Sequence, residues 1–215
     1  MLNLKLIVGS TRPSRAADRV APWVLERARE RPDFDVELLD LRDWPLPFFQ
    51  EHPGSIGDPS DPTYSEPIVR LWNQTVGAGD AFLIVTTEYN HSVPGQLKNA
   101  IDNLWLSYAL RNKPIGYVAY SGSAVAGARA VEHLALIAVE AEAVTLRNSV
   151  LIPFVRDAFD TDGRPKNPAT EIALGVLLED LAWFGNALKA AREAGELEPG
   201  SRRTRARAAA LAASG

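Results

Sequence analysis

Short apolar runs alternate with amphipathic stretches along this chain from residue 2 to about residue 194. Residues 2–8 form an almost unbroken apolar run that stops at Gly9, which predicts a buried strand. In residues 16–31, Val20, Trp23, Val24, Arg27 and Ala28 recur at three- and four-residue spacing, which predicts a helix with a mostly apolar stripe. Residues 34–41 alternate in the strand manner, Val36 and Leu38 against Glu37, with Leu39 and Leu41 opposite. Residues 42–63 hold five prolines and little periodicity, which predicts a long, partly ordered loop. Beyond it the pattern predicts a helix over 64–77, a strand over 80–86 and a helix over 95–108. A strand over 114–120, a helix over 126–142, a strand over 143–152 and a helix over 167–194 follow. Strands that alternate with helices across short connections predict a parallel sheet covered on both faces. The expected fold is therefore α/β, a flavodoxin-like three-layer sandwich with a five-stranded parallel sheet in the order 2-1-3-4-5. Its switch point lies between the first and third strands. Residues 1–194 are expected to make one domain, and residues 195–215 an Arg/Ala-rich tail, disordered or a frayed helix.

Composition narrows the classes. With 215 residues, 46% of them hydrophobic and 23% charged, the chain can bury a sizeable core. A net charge of −4 argues against a dedicated nucleic-acid binder. The chain has no cysteine, so disulfides, thiolate nucleophiles and cysteine metal sites are all excluded. That composition fits a cytoplasmic location, and Met1–Lys5 shows no signal-peptide pattern. No apolar run approaches the roughly 20 residues that span a bilayer, so no membrane association is expected. His52, His91 and His133 lack ligand spacing, and no metal site is expected.

Three polar loops at strand ends carry the candidate chemistry. Gly9-Ser10-Thr11-Arg12-Pro13-Ser14-Arg15 precedes a helix, whose N-terminal N–H groups favour an anion, and adds three hydroxyls and two guanidinium groups. It has neither the P-loop nor the Gly-x-Gly-x-x-Gly pattern. Its bland alternative is an ordinary turn with Ser14 as helix N-cap. Thr87-Glu88-Tyr89-Asn90-His91-Ser92, closed by Pro94-Gly95, sits beside the switch point and suits a flat, hydrogen-bonding heterocycle. Lys98, Asn99 and Asp102, on the helix that follows, are expected to be structural or subunit contacts. Tyr120-Ser121-Gly122-Ser123 precedes another helix, where small residues let a ligand edge approach the backbone. There the bland alternative is a tight turn with Ser123 capping.

Gly9-Ser10-Thr11-Arg12 with Arg15, then Glu88-Tyr89-Asn90-His91-Ser92-Val93-Pro94-Gly95 and Leu97-Lys98-Asn99-Ala100-Ile101-Asp102, resemble the NAD(P)H-dependent FMN reductases. That is a flavodoxin-like family which includes quinone, azo-dye and chromate reductases. The likeness covers roughly residues 2–155, and Ala126-Gly127-Ala128-Arg129-Ala130 adds to it. It implies FMN and NADPH or NADH as cofactors. It also implies transfer of hydride from NAD(P)H onto flavin N5 and then to FMN, quinones, azo compounds or similar small acceptors. Ser10, Arg12 and Arg15, with Thr11 and Ser14, would hold the FMN phosphate. Thr87, Glu88, Tyr89 and Asn90 would line the isoalloxazine ring, and Ser121, Gly122 and Ser123 would meet its other edge. No catalytic side chain is expected, since the flavin carries the chemistry. Thr87 stands where many members have proline, and Ser14 and Ala126 stand where glycine is frequent. The resemblance further implies a homodimer or homotetramer, for which Trp105, Leu106 and Tyr108 are the expected anchors, and Trp44, Phe48 and Phe49, or their counterparts from a second subunit, are expected to wall the substrate side. Two rivals remain at this level: a flavodoxin-type electron carrier, or a non-catalytic binding module for another phosphorylated ligand.

Overall fold

The computed structural model describes residues 1–58 and 61–213. Its elements run β1 (Leu2–Val8), α1 (Ala17–Arg29), β2 (Phe34–Asp40), β3 (Gly57–Asp58), β4 (Asp61–Pro62) and α2 (Pro67–Gly77). Then come β5 (Ala81–Thr87), α3 (Gly95–Asp102), β6 (Pro114–Tyr120), α4 (Ala128–Glu140), β7 (Val144–Ile152), α5 (Pro168–Gly195) and α6 (Gly200–Ala213). Five strands form one parallel sheet in the order β2-β1-β5-β6-β7. Setting aside the two-residue ribbon β3–β4, this is the expected 2-1-3-4-5 order.

Alternate strand residues point to opposite faces of a sheet, and the buried residues sort that way. Leu2, Leu4, Leu6 and Val8 of β1 pack with Val20, Trp23 and Val24 of α1 and with Leu177 and Leu181 of α5. Ile7, Phe82, Ile84, Ile115 and Tyr117 pack instead with Trp72 and Val76 of α2, Leu97 of α3 and Leu134 of α4. Every residue of β5 and β6 is buried, as expected of central parallel strands with no polar face. Burying each Leu, Ile, Val or Phe contributes about 1.5–3 kcal/mol, so these two cores dominate the stability. That excess explains why α1 runs on through Pro22, although an interior proline costs a helix about 3 kcal/mol.

Two segments differ from expectation, and the tail takes one of its two expected forms. The predicted helix over 95–108 ends at Asp102. Asn103 donates to the Pro47 and Asn99 carbonyls, and Leu106 and Tyr108 then take left-handed φ values of 65° and 53° that no helix tolerates. The proline-rich loop is more ordered than its composition suggests. Ile56, Tyr64 and Val69 form a small satellite core, and the Glu51 carboxylate accepts from Ser55 Oγ, Ser65 N and Ser65 Oγ. Pro59, one of its five prolines, lies outside the described residues. The tail is helical from Gly200 to Ala213 with no buried residue, and its last two positions lie outside the described residues.

Candidate functional site

The carboxyl ends of β1, β5, β6 and β7 open onto one cleft of about 550 Å³. It brings together Ser10, Arg12, Ser14, Arg15, Thr87, Glu88, Tyr89, Ser121 and Gly122, drawn from the three polar loops. Thr11, Asn90 and Ser123 do not line it. Thr11 faces a neighbouring cleft of about 470 Å³ shared with Trp44, Phe48, Gly95 and Asn99.

The β1–α1 loop is built to leave its backbone donors free. Ser14 takes a φ of 52°, and the helix N-cap is Ala16, with no side-chain capping bond. Ser14 is therefore not the cap. Among the described residues, the N–H groups of residues 10–12 and 14–16 donate to no protein acceptor. Free donors of this kind at a helix start attract an anion. Arg15 lines the cleft and is also tied into the protein around it. It is buried, donating through Nη1 to Asp40 Oδ1 (2.7 Å) and through Nε to Asp18 Oδ1 (2.8 Å), with further bonds to Asp40 Oδ2 and the Ser10 carbonyl. Burial pushes the Asp40 carboxyl up. The hydrogen bonds from Arg15 and the Arg42 N–H outweigh that and hold it below the usual carboxylate range. Arg15 thus braces the loop, and its charge is balanced. The uncompensated cations on the cleft are Arg12, Arg19 and Arg156, which have no ion-pair partner among the described residues.

The β5–α3 loop makes a tight hairpin. Tyr89 and Ser92 exchange backbone hydrogen bonds (2.9 and 3.0 Å), and Asn90 and His91 between them have φ of 47° and 70°. Two positive φ values in a two-residue turn define type I′, which asparagine tolerates well. Asn90 therefore sits exposed at the turn's tip rather than on the cleft. The Glu88 side chain points away to an ion pair with Arg129 at the start of α4, and Arg129 Nη1 also donates to His91 Nδ1 (2.9 Å). Asn99 ties the 42–63 loop down, accepting from Phe49 N (2.8 Å) and donating to the Pro47 carbonyl (2.9 Å).

In the β6–α4 loop, Ser121 Oγ donates to the Ser123 carbonyl (3.0 Å) and accepts from Ser123 N (3.2 Å). Ser123 does not cap α4, whose N-cap is Gly127 at φ 85°. A Cβ on Gly127 would lie 3.0 Å from Tyr120 N and 3.1 Å from Tyr120 O, so only glycine lets α4 start this close to β6.

Four lining residues escaped the sequence, Ala16, Arg19, Val155 and Arg156, and a fifth, Tyr120, stood at the head of a candidate loop with no role given to it. Arg19 lies one turn beyond Arg15, and Tyr120 ends a predicted strand next to a predicted loop, so spacing offered a signal for both. Val155 and Arg156 follow β7, where no motif marks them. Tyr120 is the most informative. It is 2% exposed, and its hydroxyl is buried with no hydrogen-bond partner among the described residues. Burial, with the neighbouring Tyr89 adding to it, pushes that phenol well above its usual pKa. Nearby, Ser10 Oγ and Tyr89 Oη lie 2.8 Å apart.

Residues 2–157 match a protein-family model described as NADPH-dependent FMN reductase. An NAD(P)H-dependent FMN reductase of Schizosaccharomyces pombe is 36% identical over 117 residues, 54% of this chain and 56% of that protein. A quinone reductase of Escherichia coli is 42% identical over 77 residues, 34% of this chain and 40% of that protein. The chain thus spans little more than half the length of the first of these relatives, and less of the second. Among solved structures, the flavoenzyme NAD(P)H:(acceptor) oxidoreductase FerB of Paracoccus denitrificans superposes with a TM-score of 0.68 at 22% identity. The superposition covers 87% of this chain and 98% of that one, a likeness of fold.

Proposed function

The chain belongs to the NADPH-dependent FMN reductase family, and from that premise we propose that it is a cytoplasmic FMN-dependent oxidoreductase acting between NAD(P)H and small acceptors such as quinones. The observation that carries the proposal is the pairing of two unlike features in one cleft. Free N–H groups and Arg12 lie at the end of β1, joined by Arg19 from α1 and Arg156 from beyond β7, and a polar, backbone-rich rim lies at the ends of β5 and β6. The residues fit FMN. A phosphate dianion would satisfy the N–H groups of residues 10–12 and 14–16 and gain from the α1 dipole. Arg12, Arg19 and Arg156 would neutralise it, while Arg15 keeps the loop in shape through Asp40 and Asp18.

Bound FMN supplies the hydride chemistry, and the protein supplies binding, orientation and field. The backbone of Thr87, Glu88 and Tyr89 would line the ring. The Glu88 carboxylate is turned toward Arg129, so it adds little negative charge to the cleft. Ser121 and Gly122, ahead of the α4 N-terminus, would face the ring's other edge, where a positive helix end stabilises negative charge. No side chain need act as general acid or base.

We also read the protein as a homodimer or homotetramer. Leu136 and Val139 are 72% and 62% exposed on α4, beside a groove lined by Phe49, Trp105, Leu106 and Tyr108. Apolar surface gathered in this way marks an interface. The test of the function is direct. Purified protein should show the visible bands of oxidised flavin, or recover them with added FMN, and then consume NAD(P)H steadily with a quinone and no separate reductase. Failure to take up FMN overturns the reading, and uptake without turnover leaves the electron carrier.

A further inference from the structure

We infer that Tyr120 is a positioning residue for the phosphate end of the cleft. Its hydroxyl becomes the partner of Ser10 when a ligand draws Ser10 away from Tyr89. The inference rests on the FMN reading and extends it to a residue that touches no ligand.

Three residues with hydroxyls line the cleft where β1, β5 and β6 end, and a single hydrogen bond joins two of them. Ser10 Oγ pairs with Tyr89 Oη at 2.8 Å, and Tyr120 Oη, on the same cleft, is left buried without a partner. A buried hydroxyl with no partner has lost its water and gained nothing in return, and native structures rarely keep one without a reason. Tyr120 Oη is too enclosed to meet a ligand directly. The Ser10 hydroxyl and the Ala17 N–H, from the loop and from the start of α1, are close enough to pull its pKa down, yet neither makes a hydrogen bond to it. A serine hydroxyl donates once and accepts twice. Ser10 can therefore donate to a phosphate oxygen and, in the same position, accept from Tyr120. In the structure its hydroxyl is paired with Tyr89 instead. Filling the cleft would exchange the Ser10–Tyr89 bond for a Tyr120–Ser10–phosphate chain, in which a charged acceptor strengthens both links.

The experiment compares wild type, Tyr120→Phe, Ser10→Ala and the double variant. FMN and riboflavin are each titrated into flavin-free protein, and binding is followed by flavin fluorescence. Tyr120→Phe should weaken FMN binding by about three- to tenfold, the net effect of one hydrogen bond. It should leave riboflavin, which lacks the phosphate, unchanged. The melting temperature of the flavin-free variant should equal or exceed that of wild type, because an unpartnered buried hydroxyl has been removed. In the Ser10→Ala background the same substitution should have no further effect on FMN. Equal FMN affinity in wild type and Tyr120→Phe overturns the inference. So does an equal loss for FMN and riboflavin, an additive double variant, or a lower melting temperature without flavin. If wild type itself binds no FMN, it is the FMN reading that fails.

Discussion

Replacing Gly127 by alanine tests whether α4 and β6 meet as closely as the cleft requires. Two costs should add. A left-handed backbone costs an L-residue roughly 1–2 kcal/mol, and Gly127 sits at φ 85°. The new Cβ would also lie 2.9 Å from Ala119 Cβ and 3.0–3.1 Å from the Tyr120 backbone. Those neighbours belong to a buried central strand and cannot swing away, so about 1–3 kcal/mol of overpacking follows. The expected loss is about 2–5 kcal/mol. At roughly 2–4 °C per kcal/mol for a chain of this size, it is easily measured by thermal or urea unfolding. Gly163→Ala is the matched control. Its φ of 76° carries the same backbone cost, but nothing lies within 4 Å of its added Cβ. The difference between the two variants isolates the contact with β6. A Gly127→Ala variant no less stable than Gly163→Ala would refute the close approach. Losses below about 0.5 kcal/mol in both would refute the backbone argument as well.

The ion pair behind the β5–α3 loop should show strong coupling. Arg129→Gln leaves the Glu88 carboxylate, whose side chain is 6% exposed, without its counter-ion and should cost about 2–4 kcal/mol. Adding Glu88→Gln should recover part of that loss in a double-mutant cycle read by urea unfolding, and simple additivity would show the pair to be unimportant. Asp40 should give the fold an acid limit. Its folded-state pKa lies below the unfolded value of about 3.9, so its contribution is full above that pH and is lost as pH falls toward the folded value. Asp40→Asn should be less stable than wild type at pH 7, and the gap should narrow as the pH is lowered from about 5 to 3. A gap that stays constant with pH would mean that the Asp40 charge does not brace Arg15.

The fold was legible because the cores are strongly patterned. The continuous apolar runs of β5 and β6 and the stripe of α1 leave little choice of element, and the crossover rules then fix the order. What escaped were features set by tertiary partners. Arg15 resembles a phosphate ligand in sequence, and only the arrival of Asp40 at the end of β2 reveals that it also braces the loop. Asn90 resembles a ring contact in sequence, and its place at the tip of a turn shows only in the backbone bonds between Tyr89 and Ser92. The end of α3 was hidden because residues 103–108 keep a helical pattern while Asn103 bonds elsewhere.

The positive φ values show why the cleft itself was only half legible. Among the described residues, nine that are not glycine adopt positive φ, and five of these stand in loops that follow sheet strands. Ser14 follows β1, Asn90 and His91 follow β5, Ala126 follows β6 and Phe154 follows β7. Those four strands are the ones whose ends line the cleft, and β2, whose end does not, is followed by none. Each left-handed residue turns its loop sharply, and at Ser14 the turn lets consecutive N–H groups point outward instead of bonding within the chain. Strain of about 1–3 kcal/mol per site persists only where the surrounding structure enforces it, and such sites gather where ligands bind. A glycine at Ser14 or Ala126 would have announced the turn in the sequence. Serine and alanine conceal it, so the chain reads there as an ordinary helix start while the backbone is already shaped for an anion.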